Sequence, residues 1–374
     1  MTATVRAGFW RLVFALVAVA ILTGYVLAIW HAPTFGFLVD QEVLGKTAPE
    51  QRLPAEHNAR LIVISAGGAL VVGIGLLYTA RNYRLAHRGQ VTERFTKALE
   101  RLGSDELYIR IGGINALEHV MRDSPDHHGD VVEVLVAFIR DRVPRRVVES
   151  TSEARWMHPP IGTEVAELPD EPTPDVQAAL TALCKRPHRA KQERNPINFR
   201  QLHLKGARLE DARLESADLS GAQLQRARLN GAQLRRANLT GAQLQQAHLT
   251  KARLQNANLT GTQLQRAHLA DARLQNAHLN RAQLQDAHMR RAQLQHAHLQ
   301  DAQLQDAYLV DAQLQDADLH KAQLQRADMR DAQLQRADFW EAQIQGANMW
   351  GANRKDACPP NAVSGGWSTD ARPA

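Results

Sequence analysis

From Phe199 to Met349 an apolar residue recurs at every fifth position, and a small residue, nearly always Ala, stands two places before it. The register holds for 31 repeats without an insertion. The exceptions keep the pattern: Ile197 and Leu202 stand for Ala at the start, Thr262 does so once, and Met289 and Met329 replace Leu. A helix needs apolar residues three and four apart and a flat strand needs them two apart, so a strict five fits neither. Fixed-period self-similarity instead marks a solenoid, whose short units bury an apolar face only when neighbours stack on them. The expected core is the column Phe199, Leu204, Leu209, Leu214, Leu219, Leu224, Leu229, Leu234, Leu239, Leu244, Leu249, Leu254, Leu259, Leu264, Leu269, Leu274, Leu279 and Leu284, continuing upward, with Ala filling the corners.

The string Ala-(Asp/Asn)-Leu, as in Ala217-Asp218-Leu219, Ala237-Asn238-Leu239 and Ala257-Asn258-Leu259, closely resembles the pentapeptide-repeat family. The resemblance covers Ile197 to about Gly351. It implies a mainly β fold, a right-handed quadrilateral β-helix with one repeat per face, four repeats per coil, and the Leu and small residue turned inward.

A period of ten lies over the period of five. Repeats of the form Ala-Gln-Leu-Gln, as at Ala222 to Gln225, alternate with repeats carrying His, Asn or Asp before the Leu. With 20-residue coils, Gln repeats occupy two opposite faces and residues 20 apart stack. One expected column is Arg228, His248, His268, His288, Tyr308, Asp328; the opposite one is Asn238, Asn258, His278, His298, Asp318, Asp338. Stacked His side chains are potential metal ligands, yet parallel side chains do not converge on a point as a metal site requires. A solvated polar ladder is the favoured reading.

Towards the N-terminus, Leu12 to Trp30 is 19 residues without a charge and Leu61 to Tyr78 is 18 more. Each is close to the about 20 residues that cross a hydrocarbon core. Two transmembrane helices are expected, with Tyr25 and Trp30 as interfacial anchors, and with Ala20, Gly24, Ala28 and Ser65, Ala69, Gly73 as small-residue stripes for close approach. Arg81, Arg84, Arg88, Arg94 and Lys97 follow the second span, Arg6 and Arg11 begin the first, and the intervening loop mixes both signs. The positive-inside rule then places both termini and the repeats on the cytoplasmic side of a bacterial inner membrane.

The expected organisation is an anchor at 1–80, a juxtamembrane helical region at 81–142, a Pro-rich linker at 143–174, a capping helix and lead-in at 175–196, the β-helix at 197–352 and a tail at 353–374. Ser104 and Asp175 are the expected helix N-caps, Gly112-Gly113 the expected close helix crossing, and His127-His128 an exposed turn. The stretch from Val91 to Asp141 resembles the juxtamembrane segment preceding the repeats in bacterial, especially actinobacterial, membrane-anchored pentapeptide-repeat proteins. Phe339, Trp340, Ile344, Met349 and Trp350 form an unusually large cluster in the last coil, read as a C-terminal cap or a homodimer seam.

Charge separates the function classes. Residues 200–300 carry 15 Lys/Arg against 6 Asp/Glu, a net of +9, whereas residues 301–350 carry 4 against 9, a net of −5. An acidic mimic of duplex DNA, the mode of some gyrase-protecting members of the family, needs a predominantly negative surface; this rod is bipolar. Nucleic acid is a disfavoured partner because the basic half lacks aromatic residues on which bases could stack. No phosphate loop, paired-His zinc helix or nucleophile elbow occurs. Cys184 and Cys358 are far apart in sequence, and Cys184 with His188 supplies only two metal ligands. The expected function is a non-catalytic scaffold without cofactor or metal, held by lipid through two helices and binding an unidentified protein partner. The alternatives are a topoisomerase or nucleic-acid-binding modulator, and an enzyme whose site lies in the helical region.

Overall fold

The computed structural model describes residues 19–34, 49–144, 169–187 and 195–359. The chain divides into two compact units, 1–90 and 91–374.

In the first unit, α1 (Val19–His31) is apolar and runs into a 3-10 turn at Ala32–Thr34, and α2 (Pro49–Leu102) is one uninterrupted helix of 54 residues. Within α2, His57–Tyr83 is long and apolar enough to cross a membrane, and it is the one such helix among the described residues. The first half of the expected N-terminal span lies outside the described residues. Leu70, Val71, Leu76 and Leu77 are all more than 60% exposed, so this surface has no protein cover in its own unit. Three expectations change here. Residues 49–60 are helix rather than loop, and the expected boundary at 80/81 falls inside α2, because nothing between Leu61 and Leu102 interrupts helical geometry. The small-residue stripes are not the contact: a side chain on Gly24 or Gly73 would meet nothing within 4 Å. Tyr25 packs instead on Gly67, where an added Cβ would collide with its ring, and the phenol donates to the Ile64 carbonyl at 3.1 Å.

The second unit opens with the end of α2 from Val91 and continues with three helices, α3 (Leu107–Asp123), α4 (His128–Arg142) and α5 (Pro174–Cys184). Ile114, Leu117, Met121, Val131, Leu135, Ile139, Leu180 and Leu183 form their core, continuous with that of the repeats. Gly113 makes the close crossing, since a Cβ there would lie 2.9 Å from the Ala98 carbonyl oxygen, whereas one on Gly112 would meet nothing. Ser104 does not cap α3; its N-cap is Glu106. Asp175 lies inside α5 and is buried, accepting from Arg110 Nε at 2.7 Å and from Thr173 Oγ1 at 2.6 Å. Arg110 also donates to the Ser104 and Asp105 carbonyls, so the guanidinium clamps the turn before α3 onto α5. His128 opens α4 fully buried in this core rather than in solvent.

The repeats form a rod of stacked coils in which residues 20 apart pair in parallel, from Asn198↔Asp218 to Asp338↔Cys358. The bridges are isolated, and no strand forms among the described residues. The repeat 217–221 shows why. Ala217 N–H closes a turn on the Leu214 carbonyl, Asp218 N–H donates one coil back to Ile197, and Leu219 and Gly221 N–H donate one coil forward to Asn238 and Thr240, at 2.7–3.2 Å. The residue two after the Leu is left-handed in every repeat from Gln201 to Asp356, with φ between 54° and 73°. That residue bends the chain onto the next face and stops each bridge after one pair. Twenty-five of these left-handed residues are not glycine, and each costs about 1–2 kcal/mol. Three inter-coil hydrogen bonds per repeat, worth about 1 kcal/mol each net, together with Leu burial, outweigh that cost.

The side-chain pattern follows from the same geometry. Phe199 and Leu204 to Leu284 at the fifth positions are at most 2% exposed. Thr262 is tolerated in an Ala position because its hydroxyl donates to the Leu239 carbonyl at 2.9 Å. The residue after the Leu has the one backbone N–H that the coils leave over, and Asp or Asn before the Leu accepts it, as in Asp218 to Ser220, Asn238 to Thr240 and Asp318 to His320. The stacking also runs further than the expected end at 352: Asn353 and Cys358 still pair, and Arg354 takes the inward position, 4.0 Å from Met349 Sδ.

The lower end of the rod is covered by groups that imitate a missing coil. His203 N–H donates to the Pro144 carbonyl, the Gln177 carboxamide both donates to the Arg208 carbonyl and accepts from its N–H, and Arg186 donates to the Arg213 carbonyl. Open sheet edges invite association, and these contacts close this one.

The left-handed requirement is directly testable. Asn276 has φ 56° and no β-branched residue occupies any equivalent position. Asn276→Val is expected to lower stability by about 1–2 kcal/mol, and Asn276→Gly to change it by less than about 1 kcal/mol, by urea unfolding. Equal effects of the two substitutions would contradict the geometry.

Candidate interaction surface

Each rod face presents three outward columns, so function has to be sought in how columns combine. With the faces numbered in chain order from the one that bears Asn198, the third face stacks His248, His268, His288 and Tyr308 with ring centroids 4.8–5.0 Å apart and planes within 13°. His278 and His298 stack in the same way on the opposite face. Beside the longer stack runs the column Arg226, Gln246, Arg266, Asp286, and the two columns enclose a groove of about 570 Å³. Burial, the neighbouring His268 and the Arg228 guanidinium hold the His248 imidazole below its ordinary pKa; burial and His268 do the same to His288, with Asp286 opposing. His248 and His288 therefore resist protonation at neutral pH.

The faces carrying Ala-Gln-Leu-Gln repeats are built as carboxamide ladders. On the second face Gln225 Nε2 donates to Gln243 Oε1 one coil on, and the same bond recurs from Gln245, Gln265, Gln285, Gln305 and Gln325, each at 2.5 Å. This explains why the Gln flank the Leu on both sides: one donates upward and the other accepts from below.

Many charges on the upper rod are paired along the axis. Arg291 with Asp271, Arg326 with Asp306, and Arg336 with Asp316 lie one coil apart at 2.5–2.7 Å, and Arg281 with Asp301 at 4.0 Å. The arginine hydrogen bond is the chief reason that Asp271, Asp306 and Asp316 ionise below the usual carboxylate range. These pairs are exposed, so their contribution is small.

The aromatic cluster of the last coil divides. Phe339, Ile344 and Met349 are buried inward, whereas Trp340 and Trp350 are about half exposed. The two Trp are ten residues apart, half a coil, and so stand on opposite faces rather than in one seam. Cys184 and Cys358 are free; burial pushes the Cys184 thiol up to about 12. His188 lies outside the described residues. Among the described residues no three His, Cys, Asp or Glu side chains gather in a metal-holding group.

Residues 197–231 and 232–271 each match the family model for pentapeptide repeats (8 copies), and residues 272–349 match that for a pentapeptide repeat region. Residues 197–349 are thus pentapeptide repeats. These repeats imply the right-handed quadrilateral β-helix, with the 20-residue pairing described above as its coil. Among solved structures, the chain is similar to QnrB1, a plasmid-mediated fluoroquinolone resistance protein, at 17% identity over 38% of this chain and 77% of that one, with a TM-score of 0.33. It is also similar to HetL, involved in heterocyst differentiation regulation in the cyanobacterium Nostoc sp. strain PCC 7120, at 30% identity over 48% and 94%, with a TM-score of 0.20. Rfr23 from the cyanobacterium Cyanothece 51142 matches at 26% identity over 30% and 63%, with a TM-score of 0.22. Among curated proteins none matches. The family assignment of the pentapeptide-repeat segment rests on the repeat models.

The ring stack sets a pH dependence. His248 and His288 have folded pKa values below their unfolded value of about 6.5, so the unfolded chain binds more protons between the two, and stability rises with pH in that window. The stabilisation is present above about pH 6.5 and is lost as pH falls through the folded values. The thermal midpoint of the full chain in neutral detergent is expected to drop from about pH 7.5 to about pH 5, before the paired aspartates titrate. His268→Gln removes the charge that both neighbours oppose and is expected to reduce the drop; an unchanged slope would contradict the coupling.

Proposed function

We propose that this chain is a non-catalytic scaffold, tethered to a bacterial inner membrane by its N-terminal helices, that presents the pentapeptide-repeat rod on the cytoplasmic side to a partner protein. The rod itself carries the reading. Its faces are rigid arrays of Gln, Arg, Asp and His, held in register by a backbone whose coil-to-coil hydrogen bonds repeat at nearly constant length. A surface of fixed columns suits recognition of another folded surface, because little side-chain and loop entropy is lost on binding.

The tether is supported by His57–Tyr83, whose 27 residues extend about 40 Å as a helix, enough for a hydrocarbon core of about 30 Å. The exposed apolar side chains of α1, including Val19, Ile21, Leu22 and Val26, fit a second lipid-facing segment. Arg81 stands at the end of this stretch and Arg84 and Arg88 follow it, which favours a cytoplasmic rod.

A proximity-labelling enzyme fused to the C-terminus in the native cell is expected to mark a reproducible set of cytoplasmic proteins that is lost when the repeats are deleted. The same set without the repeats, or labelling confined to the other side of the membrane, would overturn the reading. Protection of gyrase from a fluoroquinolone by a stoichiometric amount of the full chain would replace it with topoisomerase modulation.

A further inference from the structure

The fourth face departs from the ladder rule that the second face obeys. Its accepting column reads Arg213, Gln233, Arg253, Arg273, Gln293, Gln313, and its donating column Glu215, Arg235, Gln255, Gln275, Gln295. The carboxamide ladder appears here only where both partners are Gln, from Gln275 to Gln293 at 2.6 Å and from Gln295 to Gln313 at 2.5 Å. Lower down, arginine replaces one or both members of the rung, and Arg235 Nε reaches only Gln255 Oε1 at 3.3 Å. Gln fits all of these positions, as the second face shows. At 235 arginine exchanges the rung for a bond to Gln255 Oε1, the kind of oxygen that stays buried without a partner on Gln rungs such as Gln225 and Gln245. Arg253 and Arg273 replace an accepting Gln with no such return, and a local rule broken without structural gain marks a site retained for another purpose.

Charge pairing points the same way. Several arginines elsewhere on the rod meet a carboxylate one coil away, but Arg235, Arg236, Arg253 and Arg273 are exposed, have no carboxylate partner among the described residues, and are grouped on one face, whereas the other arginines without one, Arg200, Arg213 and Arg226, are spread over the lower coils. They lie within three successive coils, a patch about 10 Å long along the axis at the spacing of stacked strands. Lys251 lies beside them two residues before Arg253, but the four guanidiniums on the face suit forked recognition of planar carboxylates.

Resting on the scaffold reading, we propose that this arginine face is where the rod holds its partner, through a short acidic segment of that protein. The cavity at Arg235 and Arg236 is lined by the carboxamides of Gln255 and Asn256 and, one coil below, by Glu215 and Ser216; carboxamides both donate and accept and so match peptide groups, whereas phosphates only accept. The face has no aromatic column for bases. A long uniform polyanion laid along the rod would run from the basic half onto the acidic half at 301–350, whereas a segment of a few carboxylates stays on the patch.

The test uses the full chain in neutral detergent with a fluorescein-labelled hexaglutamate peptide. R235Q/R236Q/R253Q/R273Q is expected to weaken binding by about tenfold or more. R281Q/R291Q/R326Q/R336Q, which removes the same charge from paired arginines, is expected to change it by less than about twofold. Equal losses in the two variants, or tighter binding of inorganic polyphosphate through the same four arginines, would overturn the proposal. Thermal melting supplies an independent arm: the first variant restores Gln rungs at 235/253 and 255/273 and is expected to melt higher than the parent, and a lower midpoint would mark the arginines as structural and overturn it too. In the labelling experiment above, a partner set that survives the first variant sinks the arginine face and leaves the scaffold standing, whereas loss of labelling by the parent chain itself sinks the scaffold.

Discussion

A chain that makes a quarter turn every five residues has to place one residue of each repeat at positive φ, and everything else in the rod is arranged around that residue. It limits each parallel bridge to one pair, because the backbone bends away immediately afterwards. It leaves two inward positions per repeat, one at the face for Leu and one at the corner where Ala fits and a larger side chain seldom does. It also selects composition: the outward bend accepts Gly, Asp, Asn, Arg, Lys, Gln, Ser, His and Glu but no β-branched residue and no Phe, Tyr or Trp. The strain is offset coil by coil, which is why the repeat tolerates no insertion over its whole length.

The constraint turns sequence into columns, and columns give the rod its surface chemistry. Residues 20 apart are neighbours whether or not they attract, so like residues must be compatible with their own copies. Carboxamides satisfy this by donating up and accepting down. Imidazoles satisfy it by stacking face to face, with the basicity of His248 and His288 depressed. Arginines satisfy it by alternating with aspartates in the upper rod. Arg253, bridged to the neutral Gln233 on one side and to Arg273 on the other, has none of these solutions. That departure separates the lower fourth face from the rest.

Much of the architecture is legible in the sequence because the signal is a strict period and the coil is local. The five-residue spacing gives the solenoid, the ten-residue alternation gives opposite faces of like kind, and the expected columns through His268 and through His278 are the bridged ones. What sequence spacing does not carry is which atoms do the work. The Asp or Asn before the Leu reads as a motif letter, yet it serves to accept the one spare backbone N–H. Asp175 looks like a helix cap, but a buried guanidinium 65 residues earlier claims it. Trp340 and Trp350 look like a cluster because they are close in sequence, and half a coil sets them on opposite faces. The helical unit is least legible, since α2 runs through an expected loop and an expected boundary with no residue to announce either. The binding face is hidden for a related reason: net charge along the chain shows a basic half, but only pairing one coil away shows which arginines lack a partner.

Amide hydrogen exchange of the rod, residue by residue, tests the central geometry most directly. In repeats without Asp or Asn before the Leu, four amides of every five are expected to be protected and the one after the Leu, such as that of Gln225, Gln245 or Gln265, to exchange freely, except at Thr250 and Gln300, whose amides donate to Asn230 and Asn280 one coil below. In repeats with Asp218, Asn238 or Asn258 the corresponding amides of Ser220, Thr240 and Thr260 are expected to be slowed. Protection that alternates every second residue, or that treats Gln225 and Thr240 alike, would contradict the account.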